Sequence, residues 1–204
     1  MSYKLGTHNS MSYLKPLKWW HRPFHFLSRC QRVSIQEQYE KYNARYFDLR
    51  VKEYNDEWYF AHGLTLFKGE TVDSVLSYLN GKEDVVVRFT LEITKLNTTQ
   101  NAKFIILCNR IVKEYTNINF VGFFRKCDWQ RVFGEVKNVS CYEACSSTTG
   151  NILDDWCPYL YAKKYNKDNS KQGCSHEYLL FDFIDKDVDV VIAAQRVKKT
   201  NLRQ

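Results

Sequence analysis

Two histidines, one arginine and several carboxylates stand where a chain can assemble acid–base chemistry. His8 ends Gly6-Thr7-His8, and Asp48 and Arg50 lie two apart in Arg45-Tyr46-Phe47-Asp48-Leu49-Arg50-Val51. His62 follows Trp58-Tyr59-Phe60-Ala61, while Glu92 and Asp182 fall at the ends of two further β-type runs. Two imidazoles and a guanidinium in one pocket suit phosphoryl transfer to an internal hydroxyl. One imidazole takes the proton of the nucleophile, the other protonates the leaving oxygen, and the guanidinium stabilises charge on the phosphorus oxygens. Taken singly, each residue has a plainer reading: a lone histidine is more often a surface or hydrogen-bonded core residue, and Asp48 with Arg50 can be a simple intrastrand ion pair.

The elements that would position these side chains alternate. Tyr3-Lys4-Leu5 is a short strand, residues 11–32 an aromatic-rich connection, and Ser34-Ile35-Gln36-Glu37 a capping box opening a helix with Ile35, Tyr39 and Tyr42 at helical spacing. Residues 45–51 alternate apolar and charged as a strand does, and residues 58–61 form another. Thr71 caps a helix burying Val72, Val75, Leu76 and Leu79, stopped by Gly81, and 84–89 is a buried strand. A helix over 99–115 presents Ala102, Ile105, Ile106, Ile111 (or Val112) and Tyr115, followed by a strand over 120–124. Residues 125–175 are irregular, 178–183 form a last strand and 186–201 a last helix. Such alternation predicts an α/β protein with a mostly parallel sheet, as a barrel or an open sheet. In a barrel the carboxyl ends of the strands converge on one face, where active sites are built.

Composition narrows the partners. At 204 residues, with 44% hydrophobic and 26% charged residues, the chain has enough for one sizeable core and no transmembrane-length apolar run. No repeat or linker divides it, so residues 1–204 are expected to form a single domain. Met1 to Leu5 run straight into Gly6-Thr7-His8, leaving no room for a signal peptide, so a cytoplasmic location is expected. A net charge of +7 suits an anionic partner such as a phosphorylated substrate, a lipid surface or nucleic acid. Lys163-Lys164 and Lys198-Lys199 read as solvated faces, so nucleic acid is not expected. Seven cysteines, an odd number, read as reduced thiols; of Cys141, Cys145, Cys157 and Cys174 with His176, only the Cys141/Cys145 pair is close, so a structural zinc site is the lesser reading.

Four blocks, in order, carry a resemblance: Gly6-Thr7-His8-Asn9-Ser10-Met11-Ser12-Tyr13, Ser34-Ile35-Gln36-Glu37-Gln38, Ala44-Arg45-Tyr46-Phe47-Asp48-Leu49-Arg50 and His62-Gly63-Leu64. Over residues 5–92 the sequence resembles the X domain of phosphatidylinositol-specific phospholipase C, nearest the bacterial enzymes and the small intracellular X-domain proteins. A weaker echo returns at Trp156–Asn166 and at Phe181-Asp182-Phe183-Ile184. The resemblance implies an irregular TIM-type barrel, here shortened, and cleavage of phosphatidylinositol-type lipids to diacylglycerol and a cyclic inositol phosphate. It also implies His8 as general base, His62 as general acid, Arg50 beside the phosphate and Asp182 orienting the base. Asp48 can fix Arg50 or bond His62.

Two departures bear on mechanism. Asn9 stands where bacterial members usually carry Asp, and asparagine there is a metal ligand in the calcium-dependent eukaryotic enzymes, which also use acidic residues around the positions of Asp48, Arg50 and Glu92. Arg50 is a fixed positive charge at that place. Two like unit charges ~4 Å apart at an effective dielectric of ~20 cost about 4 kcal/mol before screening, so calcium is disfavoured and a metal-independent site with no cofactor is expected. Asn9 and Glu92 are then expected to bind substrate. The other departure is length, because a typical barrel has ~250 residues; trimming is expected within 125–155.

The run Leu17-Lys18-Trp19-Trp20-His21-Arg22-Pro23-Phe24-His25-Phe26 has the makeup of a membrane-interface anchor, with Trp19 and Trp20 at its centre. An aromatic cover over the barrel mouth, or a protein contact surface, is the other reading of the same residues. Two other functions fit the sequence less well: a related phosphodiesterase acting on glycerophosphodiesters, and a non-catalytic lipid- or protein-binding barrel within a larger assembly.

Overall fold

The structure is a computed structural model and describes residues 4–95, 97–125, 143–145, 157–171 and 178–188. Nine strands and four α-helices are seen there: β1 Lys4–Thr7, β2 Lys15–Pro16, α1 Ile35–Glu40, β3 Tyr46–Tyr54, β4 Glu57–His62, β5 Thr65–Lys68, α2 Val72–Asn80, β6 Val86–Leu91, α3 Thr98–Glu114, β7 Asn119–Arg125, β8 Glu143–Cys145, α4 Pro158–Lys171 and β9 Tyr178–Phe181. A 3₁₀ helix, Trp19–Leu27, lies between β2 and α1.

Six strands run parallel in the spatial order β8-β9-β1-β3-β6-β7. They form a curled half-barrel that is open and incomplete among the described residues. The expected mixed α/β architecture is present, while the described residues do not close a barrel. β7 and β8 end the parallel array, and most of the chain between them falls outside the described residues.

Period-two alternation sorts each parallel strand into two faces. Outward, Leu5, Phe47, Leu49, Val51, Val87, Phe89, Leu91, Leu179 and Phe181 join Val75, Leu76 and Leu79 of α2 and Phe104, Leu107 and Ile111 of α3 in the main core. Inward, Tyr46, Val86, Tyr178 and Leu180 form a second, small apolar cluster at the bottom of the lumen. Gly6 pairs with both Tyr46 and Leu180 there. A Cβ on Gly6 would come within 2.9 Å of the Tyr46 Cβ and 3.1 Å of Leu180 Cδ1, so only glycine fits between them. Continuing inward and upward from this apolar floor, the same alternation presents Asp48 and Arg50 on β3, Arg88 and Thr90 on β6, and then His8, Glu92 and Asp182 at the strand ends.

β3 outgrows the half-barrel. Its last four residues pair antiparallel with β4 through Val51↔Phe60 to Tyr54↔Glu57, around a turn at Asn55 and Asp56 with φ of 52° and 62°. Two consecutive left-handed residues make the tight turn whose twist matches that of its strands. β4 is thus an antiparallel excursion and not a barrel strand, and β5, absent from the sequence reading, extends it antiparallel through Ala61↔Leu66 and His62↔Thr65.

The capping boxes at Ser34/Glu37 and Thr71/Ser74 are both formed. Gly81 ends α2 with φ −82°, so it stops the helix without the left-handed turn. The α3 face is rotated from expectation: Phe104, Leu107, Cys108, Ile111 and Tyr115 are buried, while Ala102, Ile105, Ile106 and Val112 face outward. On this buried face the Phe104 ring stacks on Phe89 at 5.7 Å between centroids and packs against Trp58 at 6.1 Å. The helix expected over 186–201 lies almost wholly outside the described residues, as do Cys141, Cys174, His176 and Trp156.

Candidate active site

His8 begins the loop that leaves β1, and that loop is pinned on every side. Ser10 N donates to Asp48 O at 2.9 Å, Thr7 Oγ1 and Ser10 Oγ lie 2.7 Å apart, and Gln38 Nε2 donates to Ser10 O at 2.8 Å. Asn9 sits at φ 43°, a left-handed conformation seldom adopted by a buried non-glycine residue. Its backbone N–H donates to Asp48 Oδ2 at 3.0 Å, and its own Nδ2 is buried without a hydrogen-bond partner among the described residues. Gln31, fully buried, donates to His8 O at 3.1 Å and to Phe181 O at 2.7 Å and accepts from Ile184 N at 3.2 Å. One amide thereby ties the loop of His8 to the loop of Asp182.

The two loops meet in a defined pair. His8 Nδ1 lies 2.8 Å from Asp182 Oδ1, and the other oxygen of that buried carboxylate has no hydrogen-bond partner among the described residues. On the other side of the ring, Arg50 Nη2 lies 2.6 Å from His8 Nε2. Arg50 Nε donates to Asp48 Oδ2 at 2.8 Å, and its Nη1 is 3.5 Å from Glu92 Oε2. Arg88 adds Nε to Asp48 Oδ1 at 3.1 Å and Nη2 to Asp48 Oδ2 at 2.9 Å. Burial works against ionising Asp48, yet Arg50, Arg88 and then His8 outweigh it and hold the carboxyl far below the usual carboxylate range. Burial likewise opposes the Arg50 charge, and Asp48 and Glu92 more than restore it.

His62 arrives differently. It ends β4, so the antiparallel hairpin folds it over the site, with its ring centroid 6.1 Å from that of His8 and nearly perpendicular to it. Its Nδ1 lies 2.9 Å from Ser28 O and 3.8 Å from Cys30 Sγ. A carbonyl accepts only, so the proton sits on Nδ1. Burial first, then the neighbouring Arg50 charge, push the His62 pKa down to about 4, against the opposing pull of Glu92. Glu92 Oε1 also accepts from Gly63 N at 2.8 Å and so anchors the turn that carries His62.

All the residues singled out for chemistry therefore gather at one place: His8, Asn9, Asp48, Arg50, His62, Glu92 and Asp182. Asp48 fixes Arg50 and does not bond His62; it stands 3.8 Å from His8 Nε2 instead. Sequence reasoning missed Gln31, Ser28, Cys30 and Arg88. Arg88 had a signal, because an arginine inside the β-branched run Val85 to Phe89 needs a buried carboxylate partner.

A groove of about 400 Å³ opens beside His62, lined by His21, Phe24, Leu27, Ser28, His62 and Leu64 among others. Its outer rim is the 3₁₀ helix, no residue of which is buried. Trp19 is 70% and Trp20 51% exposed, and Phe24, Phe26 and Leu64 are exposed beside them. No helix among the described residues is long and apolar enough to cross a membrane.

Among solved structures, the fold is similar to that of the phosphatidylinositol-specific phospholipase C from Listeria monocytogenes, with a TM-score of 0.64 and 14% identity over 97% of this chain and 92% of that one. At that identity the similarity speaks for a shared, distantly related fold. No protein-family model matches the sequence, and no curated protein matches it.

Proposed function

We propose that residues 1–204 form one catalytic unit, a metal-independent phosphodiesterase that cleaves phosphatidylinositol-type lipids to diacylglycerol and a cyclic inositol phosphate. One observation carries this reading: an imidazole with a carboxylate on Nδ1 and a guanidinium on Nε2, faced by a second imidazole 6.1 Å away. That is a base, a charge stabiliser and an acid within the span of one phosphodiester.

His8 Nε2 takes the proton of the inositol 2-hydroxyl, whose oxygen forms the new bond to phosphorus. Arg50 moves from His8 to the phosphate oxygens and stabilises their growing charge. Asp182 holds the His8 tautomer and stabilises the imidazolium that forms. The phosphorus–glycerol oxygen bond breaks, and His62 gives that oxygen its proton from Nε2. With a pKa near 4 in this structure, His62 needs the substrate's anionic phosphate to become protonated near neutrality. The apolar groove beside His62 suits the diacylglycerol leaving group.

Asn9 and Glu92 are assigned to substrate, Asn9 through its Nδ2, which has no hydrogen-bond partner among the described residues. Calcium fits this site poorly, since the Arg50 guanidinium already lies against both Asp48 and Glu92. The exposed Trp19 and Trp20, flanked by Lys15, Lys18 and Arg22, are assigned to a peripheral membrane contact. Release of diacylglycerol and cyclic inositol phosphate from phosphatidylinositol vesicles, with and without chelator, tests the reading. No release by the folded protein would overturn it.

A further inference from the structure

Around His8, whose Nδ1 faces Asp182 and whose Nε2 faces Arg50, lies a second set of donors that the proposed reaction does not use as a set. A ring nitrogen of His8, Cys30 Sγ and a carboxylate oxygen of Asp182 all fall within 4.8 Å of one another, and the nitrogen that His8 turns to Asp182 is Nδ1, 2.8 Å from Oδ1. Cys30 and Asp182 are fully buried, and Asp182 keeps one oxygen without a hydrogen-bond partner among the described residues. His62 Nδ1, 3.8 Å from the same sulfur, offers a fourth donor if it releases Ser28 O.

From this geometry we propose that His8, Cys30 and Asp182 form an inhibitory site for zinc or a similar thiophilic divalent ion. Imidazole, thiolate and carboxylate are the donor types zinc takes, and hard calcium has no use for the sulfur. Zinc bonds of about 2.0–2.3 Å set tetrahedral ligand atoms roughly 3.3–3.8 Å apart. Closure therefore asks no more than about 1.5 Å of the widest pair. The Arg50 charge is on the opposite ring nitrogen of His8 and is balanced by Asp48 and Glu92, so the argument against calcium at Asp48 does not carry over.

Binding has a forced chemical consequence. Cys30 loses its thiol proton to solvent and forms a sulfur–zinc bond, while one Asp182 oxygen and His8 Nδ1 donate lone pairs to the ion. The His8 proton, now displaced from Nδ1, must sit on Nε2. An Nε2–H cannot accept a proton from a nucleophile, and it meets the Arg50 Nη2 donor head-on. The metal thus removes the base and displaces the guanidinium in one step.

The inhibition rests on the proposed phosphodiesterase reading; the binding does not. Zinc equilibrium dialysis and cobalt(II) absorption on the reduced, metal-stripped full chain test the binding without substrate. The wild type should show a thiolate–cobalt charge-transfer band, and Cys30→Ser should lose it together with one equivalent of bound zinc. Cys157→Ser should keep both. Asp182→Asn, which preserves shape should Cys30→Ser fail to fold, should weaken zinc at this site tenfold or more. Affinity should rise about tenfold per pH unit while the thiol remains protonated, because one proton leaves per ion. An unchanged band and stoichiometry in Cys30→Ser, or an unchanged affinity in Asp182→Asn, overturns the site. Where phosphatidylinositol is hydrolysed, zinc should inhibit wild type and chelator should reverse it; full activity with zinc bound at Cys30 overturns the inhibition. Zinc bound through Cys30 in a protein with no lipase activity would leave the site standing and refute the phosphodiesterase reading instead.

Discussion

Arg50 Nη2 lies 2.6 Å from His8 Nε2, and this contact fixes the protonation of the histidine. A guanidinium nitrogen only donates, so Nε2 is the acceptor and the proton resides on Nδ1, toward Asp182 at 2.8 Å. His8 is thereby held in the tautomer a general base needs, and the lone pair it would use is covered by the group assigned to the phosphate in the proposed reaction. In the proposed reaction an incoming phosphate would draw the guanidinium away and uncover the base in the same motion.

Arg50→Lys should lower turnover by about 10²–10³ although the charge is kept. A compact ammonium cannot bond Asp48 and also present a planar set of donors to phosphate oxygens. Excess chelator should leave the wild type active, and added calcium should do little. Abolition by chelator with recovery on calcium would make Asn9, Asp48 and Glu92 metal ligands and end the metal-independent mechanism.

His8→Ala and His62→Ala should each cost about 10²–10⁴ in turnover while the protein stays folded. Their response to the leaving group should differ. A substrate whose leaving oxygen needs less protonation should partly rescue His62→Ala and leave His8→Ala unrescued, because the hydroxyl still lacks its base. Equal rescue of both variants would reverse or dissolve the two assignments.

The lowered pKa of His62 predicts how stability follows pH. The folded value, about 4, lies below the ordinary 6.5, so between these limits the unfolded chain takes up a proton that the native one refuses. Its contribution to stability is complete above pH 6.5 and drains away as pH falls toward 4. The ceiling for a shift of this size is about 3 kcal/mol, reduced because the ring is partly exposed to solvent. His62→Gln should show a shallower decline of its urea midpoint between pH 7 and pH 4.5 than the wild type. NMR titration of the ring should place it well below 6 alone and higher with an inositol phosphate bound. A ring that titrates near 6.5 without ligand would remove the basis of both expectations.

The sequence made the site legible where a side chain's type and its strand period agree. Asp48 and Arg50 are two apart on β3, so they had to share a face, and His8 and Asp182 follow neighbouring parallel strands whose register, Thr7↔Phe181, sets them side by side. His62 was read as a site residue for an incomplete reason, since a parallel strand end was expected and an antiparallel hairpin delivers it. Turn residues Asn55 and Asp56 announce that hairpin, but pairing direction is a long-range property that local pattern does not encode. Gln31 was illegible for a related reason. Its importance lies in three backbone groups spread over residues 8, 181 and 184, and nothing about a glutamine in a connecting segment names them. On α3, Ile105 and Ile106 lie on the helical period as well as Phe104 and Leu107 do, and the long-range contacts of Phe104 with the rings of Phe89 and Trp58 are not encoded in that period.

The exposed rim yields the last prediction. Trp19 and Trp20 meet edge to face at 5.9 Å, and Lys18 Nζ stands 5.7 Å from the Trp20 ring and 4.9 Å from that of Tyr54. Neither indole is packed into the core, so replacing them should not unsettle the fold, and large apolar groups left at the surface beside basic residues are what an anionic lipid interface would take up. The double variant Trp19→Ala/Trp20→Ala should bind anionic vesicles at least tenfold more weakly and hydrolyse vesicular phosphatidylinositol correspondingly less. Its turnover of a dispersed short-chain substrate should stay within about twofold of wild type, because the proposed reacting groups are on His8, Arg50 and His62 while both tryptophans stand largely exposed. If hydrolysis of the short-chain substrate falls in step with vesicle binding, the tryptophans shape the site itself and the interfacial assignment is wrong. If vesicle binding is unchanged, the rim serves another partner.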